Sequence, residues 1–137
     1  MELATVDREP IAVMVTSESG DISQAAPRAF ERLEKALPSM KGRKFYGYWD
    51  PDAKSYRACV AAIESDDPAA LGLDRGELPG GRYVRSRLRG EPAELYPRIG
   101  PTFEAMSAAA PSVDRSRPWI EFYRARNEVV LLLPITR

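Results

Sequence analysis

Two segments of the chain resemble each other, and this internal repeat constrains the fold more than any other feature. Residues 29–40 align with residues 102–113 through a Phe-Glu pair, one alanine and a Pro-Ser exit. Each segment is followed by an aromatic, strand-like run and then by a second apolar run at the same offset. Because helix exit, aromatic strand and hairpin agree in the same order, the pattern indicates a duplication.

The first copy is predicted to be a strand, a helix and a hairpin. Residues 11–16 form an apolar run suited to a buried strand, and residues 26–37 carry apolar side chains at helical spacing before a proline ends the helix. Residues 45–49 and 56–63 then read as two strands joined across an Asp-Pro-Asp turn. The unit is therefore β-α-β-β.

The second copy repeats this order with a disturbed helix. Residues 82–88 form its first strand, and residues 119–124 and 128–135 form its hairpin. The apolar stripe between them contains Pro97 and Gly100-Pro101, which predicts a kink or two short helices.

The predicted fold class is α+β, as one domain over residues 1–137. Repeat one covers about 11–63, a linker about 64–80, and repeat two about 81–135. A length of 137 residues suits a single domain with a real core. The strands are expected to form one mainly antiparallel sheet.

Composition excludes several kinds of chemistry. The chain has no histidine and one cysteine, Cys59, so histidine-based triads, most zinc sites and an internal disulfide are excluded. No cofactor and no metal are expected. The 20 acidic and 20 basic residues balance, and no apolar run approaches the ~20 residues of a membrane span, so neither nucleic acid nor a membrane is an expected direct partner. The predicted location is the cytoplasm.

The strongest candidate for a functional residue is Glu121. Trp119, Glu121 and Tyr123 alternate along a strand and so share one face. A carboxylate among aromatic rings is costly to bury without a partner. Two readings are open: a ligand-binding face, or a face that is solvated or paired with Arg43 or Arg117.

The matching positions of the first copy are Phe45, Gly47 and Trp49. A glycine opposite Glu121 is expected to leave room for a ligand where the copies meet. Aromatic walls around one carboxylate suit a flat, lipophilic cation. The alternative is that the two tryptophans simply fill the core.

Two further sets of residues are interpreted as structural. Tyr46 and Tyr48 point to the opposite face of their strand and are expected to lie under the helices. Arg85, Arg87 and Arg89 alternate, which predicts one solvated strand face rather than a nucleic-acid surface.

Four segments in order, residues 76–83, 89–92, 119–123 and 133–135, resemble the GyrI-like effector-binding domain. That resemblance implies tandem β-α-β-β (SHS2-like) units with helices on one face of the sheet and a ligand groove between the repeats. It also maps the acidic residue that faces the family's groove onto Glu121. The chain departs from the family at Leu88, where many members carry a histidine, and in the prolines of the second helix.

The leading functional prediction is a non-enzymatic, standalone sensor or sequestering protein for small lipophilic, aromatic or cationic molecules. The predicted ligand-binding residues are Glu121, Tyr123, Trp119, Trp49, Phe45 and Gly47. Two alternatives remain open: a hydrolase of reactive hydrophobic natural products with Glu121 as general base, and an adaptor that inhibits a protein partner through an edge strand. Helix-turn-helix DNA binding is disfavoured because no helices are spare.

Overall fold

The computed structural model describes residues 3–16, 22–110 and 112–136, without the side chains of residues 22–27. The strands are β1 (Ala4–Arg8), β2 (Ile11–Val15), β3 (Phe45–Asp50), β4 (Ser55–Ala61), β5 (Asp74–Leu78), β6 (Gly81–Arg89), β7 (Trp119–Ala125) and β8 (Glu128–Pro134). The helices are α1 (Ile22–Ala36), α2 (Pro92–Leu95) and α3 (Ile99–Ala109), with a 3₁₀ turn (Tyr96–Arg98) between the last two.

These eight strands form one antiparallel sheet in the order β1-β6-β8-β7-β3-β4-β2-β5. The predicted α+β class and both predicted hairpins, β3–β4 and β7–β8, are confirmed. At the centre, β3 pairs with β7 so that Gly47 lies opposite Glu121. Each half of the sheet contains the order strand, helix, strand, strand, once from β2 to β4 and once from β6 to β8, and each half supplies one strand of the central pair. The duplication itself stays a prediction.

Two strands were not predicted. β5 lies inside the stretch interpreted as a linker, and its sequence Asp-Arg-Gly-Glu-Leu has no apolar alternation. It forms because β2 offers it a free edge, with Ile11 opposite Leu78. β1 likewise pairs only with β6, from Ala4 opposite Arg85 to Arg8 opposite Gly81. Both strands depend on long-range pairing rather than on local pattern.

Two short connections curl the sheet. Residues 9–10 join β1, at one edge, to β2 near the other edge, and residues 79–80 join β5 to β6 in the same way. The sheet is therefore strongly curled, and the face turned away from the helices is buried in a hydrophobic cluster. Tyr46 lies there with Phe122, their rings stacked at 4.9 Å, and Tyr48 packs against the same cluster. The prediction that Tyr46 and Tyr48 lie under the helices is wrong, because the helices cover the alternate side chains of β3.

The helices cover the other face, as predicted. Leu33 of α1 is fully buried in a cluster with Tyr56 and Val60 of β4. Phe103 and Met106 of α3 pack against β6 and β8. Since α1 lies over β4 and α3 over β6 and β8, the central β3–β7 pair lies between them.

The predicted break in the second helix is present. Pro97 falls in the 3₁₀ turn that separates α2 from α3, where a missing backbone N–H interrupts the helical hydrogen bonds. None of the helices described is long and apolar enough to cross a membrane. Within the described ranges, no three side chains of the metal-binding types gather as a metal site.

Candidate ligand-binding site

The central strand pair brings all six predicted site residues together on the helix-covered face. Phe45 lies opposite Tyr123, Gly47 opposite Glu121 and Trp49 opposite Trp119. Directly opposed residues of an antiparallel pair share one face of the sheet, so the five side chains and Gly47 form one patch. The four aromatic members are half-buried. The patch lies on the part of the sheet between α1 and α3.

Glu121 lies at the bottom of this patch with 1% of its surface exposed. Its Oε1 accepts a hydrogen bond from the Tyr56 hydroxyl at 2.9 Å and another from the Tyr123 hydroxyl at 2.5 Å. The two hydroxyl oxygens lie 3.4 Å apart. Oε2 makes no hydrogen bond with any described residue. Glu121, Tyr56 and Tyr123 therefore form one polar cluster in an aromatic setting.

Arg43 and Arg117, the two arginines considered as partners of Glu121, form ion pairs with other residues. Arg43 forms an ion pair with Asp66 at 2.6 Å, and Arg117 forms one with Asp114 at 2.9 Å. No ion pair in the described part of the chain involves Glu121. The carboxylate is hydrogen-bonded by neutral hydroxyls, and its charge is not neutralised by a described cation.

The space above Gly47 is not open, contrary to the prediction. A Cβ atom at this position would lie 2.5 Å from Glu121 Oε1 and closer still to the Tyr56 hydroxyl. The tyrosine and the glutamate thus occupy the volume that a side chain at residue 47 would need. The absence of a side chain at Gly47 makes room for the hydrogen bond between Tyr56 and Glu121 and does not leave a preformed cavity.

The setting of Glu121 shifts its ionisation. Burial raises the pKa of Glu121, and the hydrogen bonds from Tyr123 and Tyr56 oppose this rise in part. Burial, reinforced by the nearby carboxylate, raises the pKa of both tyrosines well above the usual value. Both hydroxyls therefore stay protonated at neutral pH and act as donors to Glu121.

Two helix residues complete the aromatic surroundings. Phe30 of α1 meets the Tyr123 ring edge-on at 5.1 Å. Tyr96, in the 3₁₀ turn, meets the same ring edge-on at 6.1 Å and is 53% exposed. Tyr123, which donates to Glu121, is thus held between one side chain from each helical segment.

Sequence reasoning missed Tyr56, Phe30 and Tyr96 as site residues. Tyr56 could have been found, because the hairpin register places it directly opposite Trp49 and therefore on the same face. Phe30 belongs to the apolar stripe of α1, which looks like ordinary core. Tyr96 carries no signal in the sequence, since its position depends on how the 3₁₀ turn packs.

Replacing Tyr56 with phenylalanine should raise the pKa of Glu121 further. The substitution removes a hydrogen bond to the charged form, and the buried carboxylate loses a donor that nothing else replaces. We expect the free energy of unfolding at pH 7 to fall by about 1–3 kcal/mol. Carbon-13 NMR titration of the glutamate carboxyls measures the pKa. Tyr46→Phe, on the opposite face of the sheet, should leave the pKa of Glu121 unchanged. An equal rise of that pKa in both variants would contradict the role of Tyr56 as a hydrogen-bond donor to Glu121.

Comparison with known proteins shows which solved structures share this fold. No protein-family model matches the chain, and no curated protein sequence does. Among solved structures, SAV2435 bound to tetraphenylphosphonium superposes with a TM-score of 0.66 at 12% identity, over 99% of this chain and 94% of that one. The C-terminal domain of EcmrR gives 0.60 at 12% identity, over 99% and 98%. A hydrolase from Listeria innocua gives 0.60 at 12% identity, over 98% and 92%.

At these identities the likeness establishes the fold. The chain has the fold of the GyrI-like effector-binding domains, as the resemblance in its sequence implied.

Proposed function

We propose that this protein binds small, lipophilic, aromatic cations in the groove between α1 and α3, over the β3–β7 pair. The observation that carries the proposal is Glu121: a carboxylate with 1% exposure, surrounded by aromatic rings and hydrogen-bonded only by neutral donors among the described residues. A charge in this setting is stabilised by a ligand of opposite charge that also covers apolar surface. The similar fold of SAV2435, bound to a lipophilic aromatic cation, supports this choice of ligand.

The aromatic side chains contribute to affinity for the same class of ligand. A cation over a tyrosine or tryptophan face gains about 0.5–2 kcal/mol, depending on how far it is desolvated. Phe45, Trp49, Trp119 and Tyr123 are half-buried and so keep surface for such contacts. Neutral aromatic molecules share the apolar contacts and lack the interaction with Glu121.

Binding at Glu121 requires a covering side chain to move, because the carboxylate is almost inaccessible. Tyr123 lies directly on it, and the exposed Tyr96 stands edge-on to Tyr123. Tyr96 lies in a short 3₁₀ turn, a weakly held kind of structure. We therefore expect Tyr96 and Tyr123 to turn outward when a ligand enters, as an induced fit.

Titration with tetraphenylphosphonium tests the proposal. We expect a dissociation constant on the order of 1–100 μM and much weaker binding of neutral triphenylphosphine oxide. Glu121→Gln keeps the shape and removes the charge, and it should weaken tetraphenylphosphonium binding by about tenfold or more while sparing the neutral molecule. Isothermal titration calorimetry measures both.

The matched control is Glu104→Gln, which removes an exposed carboxylate from α3. It should leave both affinities unchanged. If the cation binds no better than the neutral analogue, or if Glu121→Gln binds the cation as wild type does, the proposal is wrong.

A hydrolase is the second candidate, favoured by the raised pKa of Glu121. A carboxylate of raised pKa in an apolar pocket is a better general base for water, and a hydrolase from Listeria innocua has a similar fold. The two candidates separate in one assay with hydrophobic electrophiles such as aryl epoxides. Turnover that Glu121→Gln abolishes favours the hydrolase; saturable binding without product favours the binder.

A further inference from the structure

β5 forms one edge of the sheet, and among the described residues it pairs with β2 alone. Its three charged residues, Asp74, Arg75 and Glu77, are exposed. Arg75 and Glu77 form no ion pair within the described part of the chain. An exposed strand edge is a template for the addition of another strand.

The hydrogen bonds of β2 show how its backbone groups are divided between its two neighbours. The amide of Thr16 donates to the Ala58 carbonyl at 3.1 Å, and the amide of Ala62 donates to the Ala12 carbonyl at 2.9 Å. Backbone groups alternate in direction along a strand, so the even-numbered residues from 12 to 16 bond the β4 side. The odd-numbered residues of β2 therefore bond β5.

This alternation fixes which backbone groups of β5 point outward. Val13 of β2 lies opposite Gly76, so these two residues exchange backbone hydrogen bonds across the pair. The neighbours of Gly76 face the other way. Arg75 and Glu77 therefore present their amides and carbonyls to the outer edge of the sheet.

The free edge is bounded at both ends. Pro79 follows β5 and has no N–H to donate. Before β5, the amide of Leu73 donates to the Pro68 carbonyl at 2.9 Å and is not available to an added strand. Because the free ladder is so short, a partner strand must match its side chains as well as its backbone.

The sequence of β5 matches itself in the antiparallel direction. When Gly76 lies opposite Gly76 of a second copy, Arg75 lies opposite Glu77 of that copy, and Glu77 lies opposite its Arg75. These are the residues with outward-facing backbone groups, so each pair can exchange two hydrogen bonds and bring opposite charges together on one face. Glycine occupies the axis, where opposed Cα atoms approach to about 4.5 Å.

Other pairings of the sheet edges match less well. Moving one copy by two residues places Arg75 opposite Arg75, or Glu77 opposite Glu77, and like charges in direct opposition are repulsive. At the other edge, the exposed residues of β1 are Thr5 and Asp7, and Asp7 is already paired with Arg82 at 3.0 Å. β1 therefore has no self-complementary charges to offer.

We propose that the outer edge of β5 is a dimerisation surface, on which two copies of this chain pair antiparallel about a twofold axis at Gly76. Such a contact is isologous, so it closes at two copies. The two sheets become continuous, with the helices of both copies on the same side. Since β5 has only five residues, the interface is smaller than the ~1,200 Å² of stable complexes, and the dimer is weak.

Sedimentation equilibrium of the full chain measures this association. Between about 10 μM and 1 mM protein in low salt, we expect a monomer–dimer equilibrium with a dissociation constant on the order of 100 μM. Over the same range, nitrogen-15 NMR should show slower solvent exchange of the Arg75 and Glu77 amides. A monomer mass throughout, or species larger than a dimer, would overturn the proposal.

Charge reversal tests the register. Arg75→Glu and Glu77→Arg each place like charges opposite each other and should weaken association about tenfold or more. The double variant restores two opposite-charge pairs and should dimerise as wild type does. A mixture of the two single variants should form a heterodimer, because one strand then carries two acidic residues and the other two basic residues at these positions.

The matched control is Arg126→Glu, which makes the same change of charge at an exposed residue between β7 and β8. It should leave the association unchanged. Equal weakening by Arg126→Glu and Arg75→Glu would mean an effect of net charge and would overturn the surface. A double variant that stays monomeric, or a mixture of the single variants that does not associate, would overturn the register about Gly76.

Discussion

Gly47→Ala should destabilise the protein by about 2–4 kcal/mol and abolish cation binding. The added methyl group would lie 2.5 Å from Glu121 Oε1 and 2.9 Å from Tyr56 Cζ, inside van der Waals contact. Tyr56 is fully buried and Glu121 is 1% exposed, so neither can move aside without breaking packing or their hydrogen bond. Urea unfolding measures the first effect and tetraphenylphosphonium titration the second.

Two further variants test whether steric crowding at residue 47 causes the loss of stability in Gly47→Ala. Gly100→Ala, in α3, meets nothing within 4 Å and should be neutral or slightly stabilising, because alanine favours a helix. Combining Gly47→Ala with Tyr56→Phe removes the closest atom, so the double variant should lose less stability than the sum of the single losses. Strict additivity, or a Gly47→Ala protein as stable as wild type, would contradict the close approach seen at Gly47.

Cation affinity should rise with pH through the pKa of Glu121 and become constant above it. Burial raises the pKa of Glu121 in the free protein, and a bound cation favours the charged form and lowers that pKa. Binding then releases protons, and affinity gains up to about tenfold per pH unit between the two pKa values. Calorimetry of tetraphenylphosphonium binding from pH 4 to 8 measures this dependence, which should vanish in Glu121→Gln. A dependence that survives the substitution would assign the titration to another group.

The same ionisation affects the free energy of unfolding with a defined sign. The folded-state pKa of Glu121 lies above the unfolded value of about 4.5, so its contribution to stability is fully present below that value. The contribution is lost as the pH rises through the raised folded pKa. Glu121→Gln should therefore remove this loss, with a smaller fall in stability between pH 4.5 and 8 than wild type shows.

The strands of the predicted hairpins could be identified from sequence because their signals are local. Apolar and aromatic residues at period two, bounded by turn residues, predict β3, β4, β7 and β8 without knowledge of the sheet. β1 and β5 carry no such signal. Their residues become strands because β6 and β2 present unpaired backbone edges, a long-range condition that no local window contains.

The candidate site was likewise predictable from the sequence only in part. Alternation along β7 was enough to select Glu121 with Trp119 and Tyr123, and the internal similarity selected the three residues opposite them. The partner of the carboxylate was not predictable, because arginines and tyrosine hydroxyls are all chemically suitable donors. Which of them reaches Glu121 depends on packing distances.

The amino-acid sequence by itself determined the α+β class, the broken second helix and the patch around Glu121, because each follows from side-chain periodicity or from proline chemistry. Only the tertiary structure decided that Tyr56 and Tyr123 hydrogen-bond Glu121, that they fill the space above Gly47, and that Tyr46 faces away from the helices. The physical reason is that these contacts join residues far apart in the chain, so they exist only once the sheet has curled and the helices have covered one of its faces.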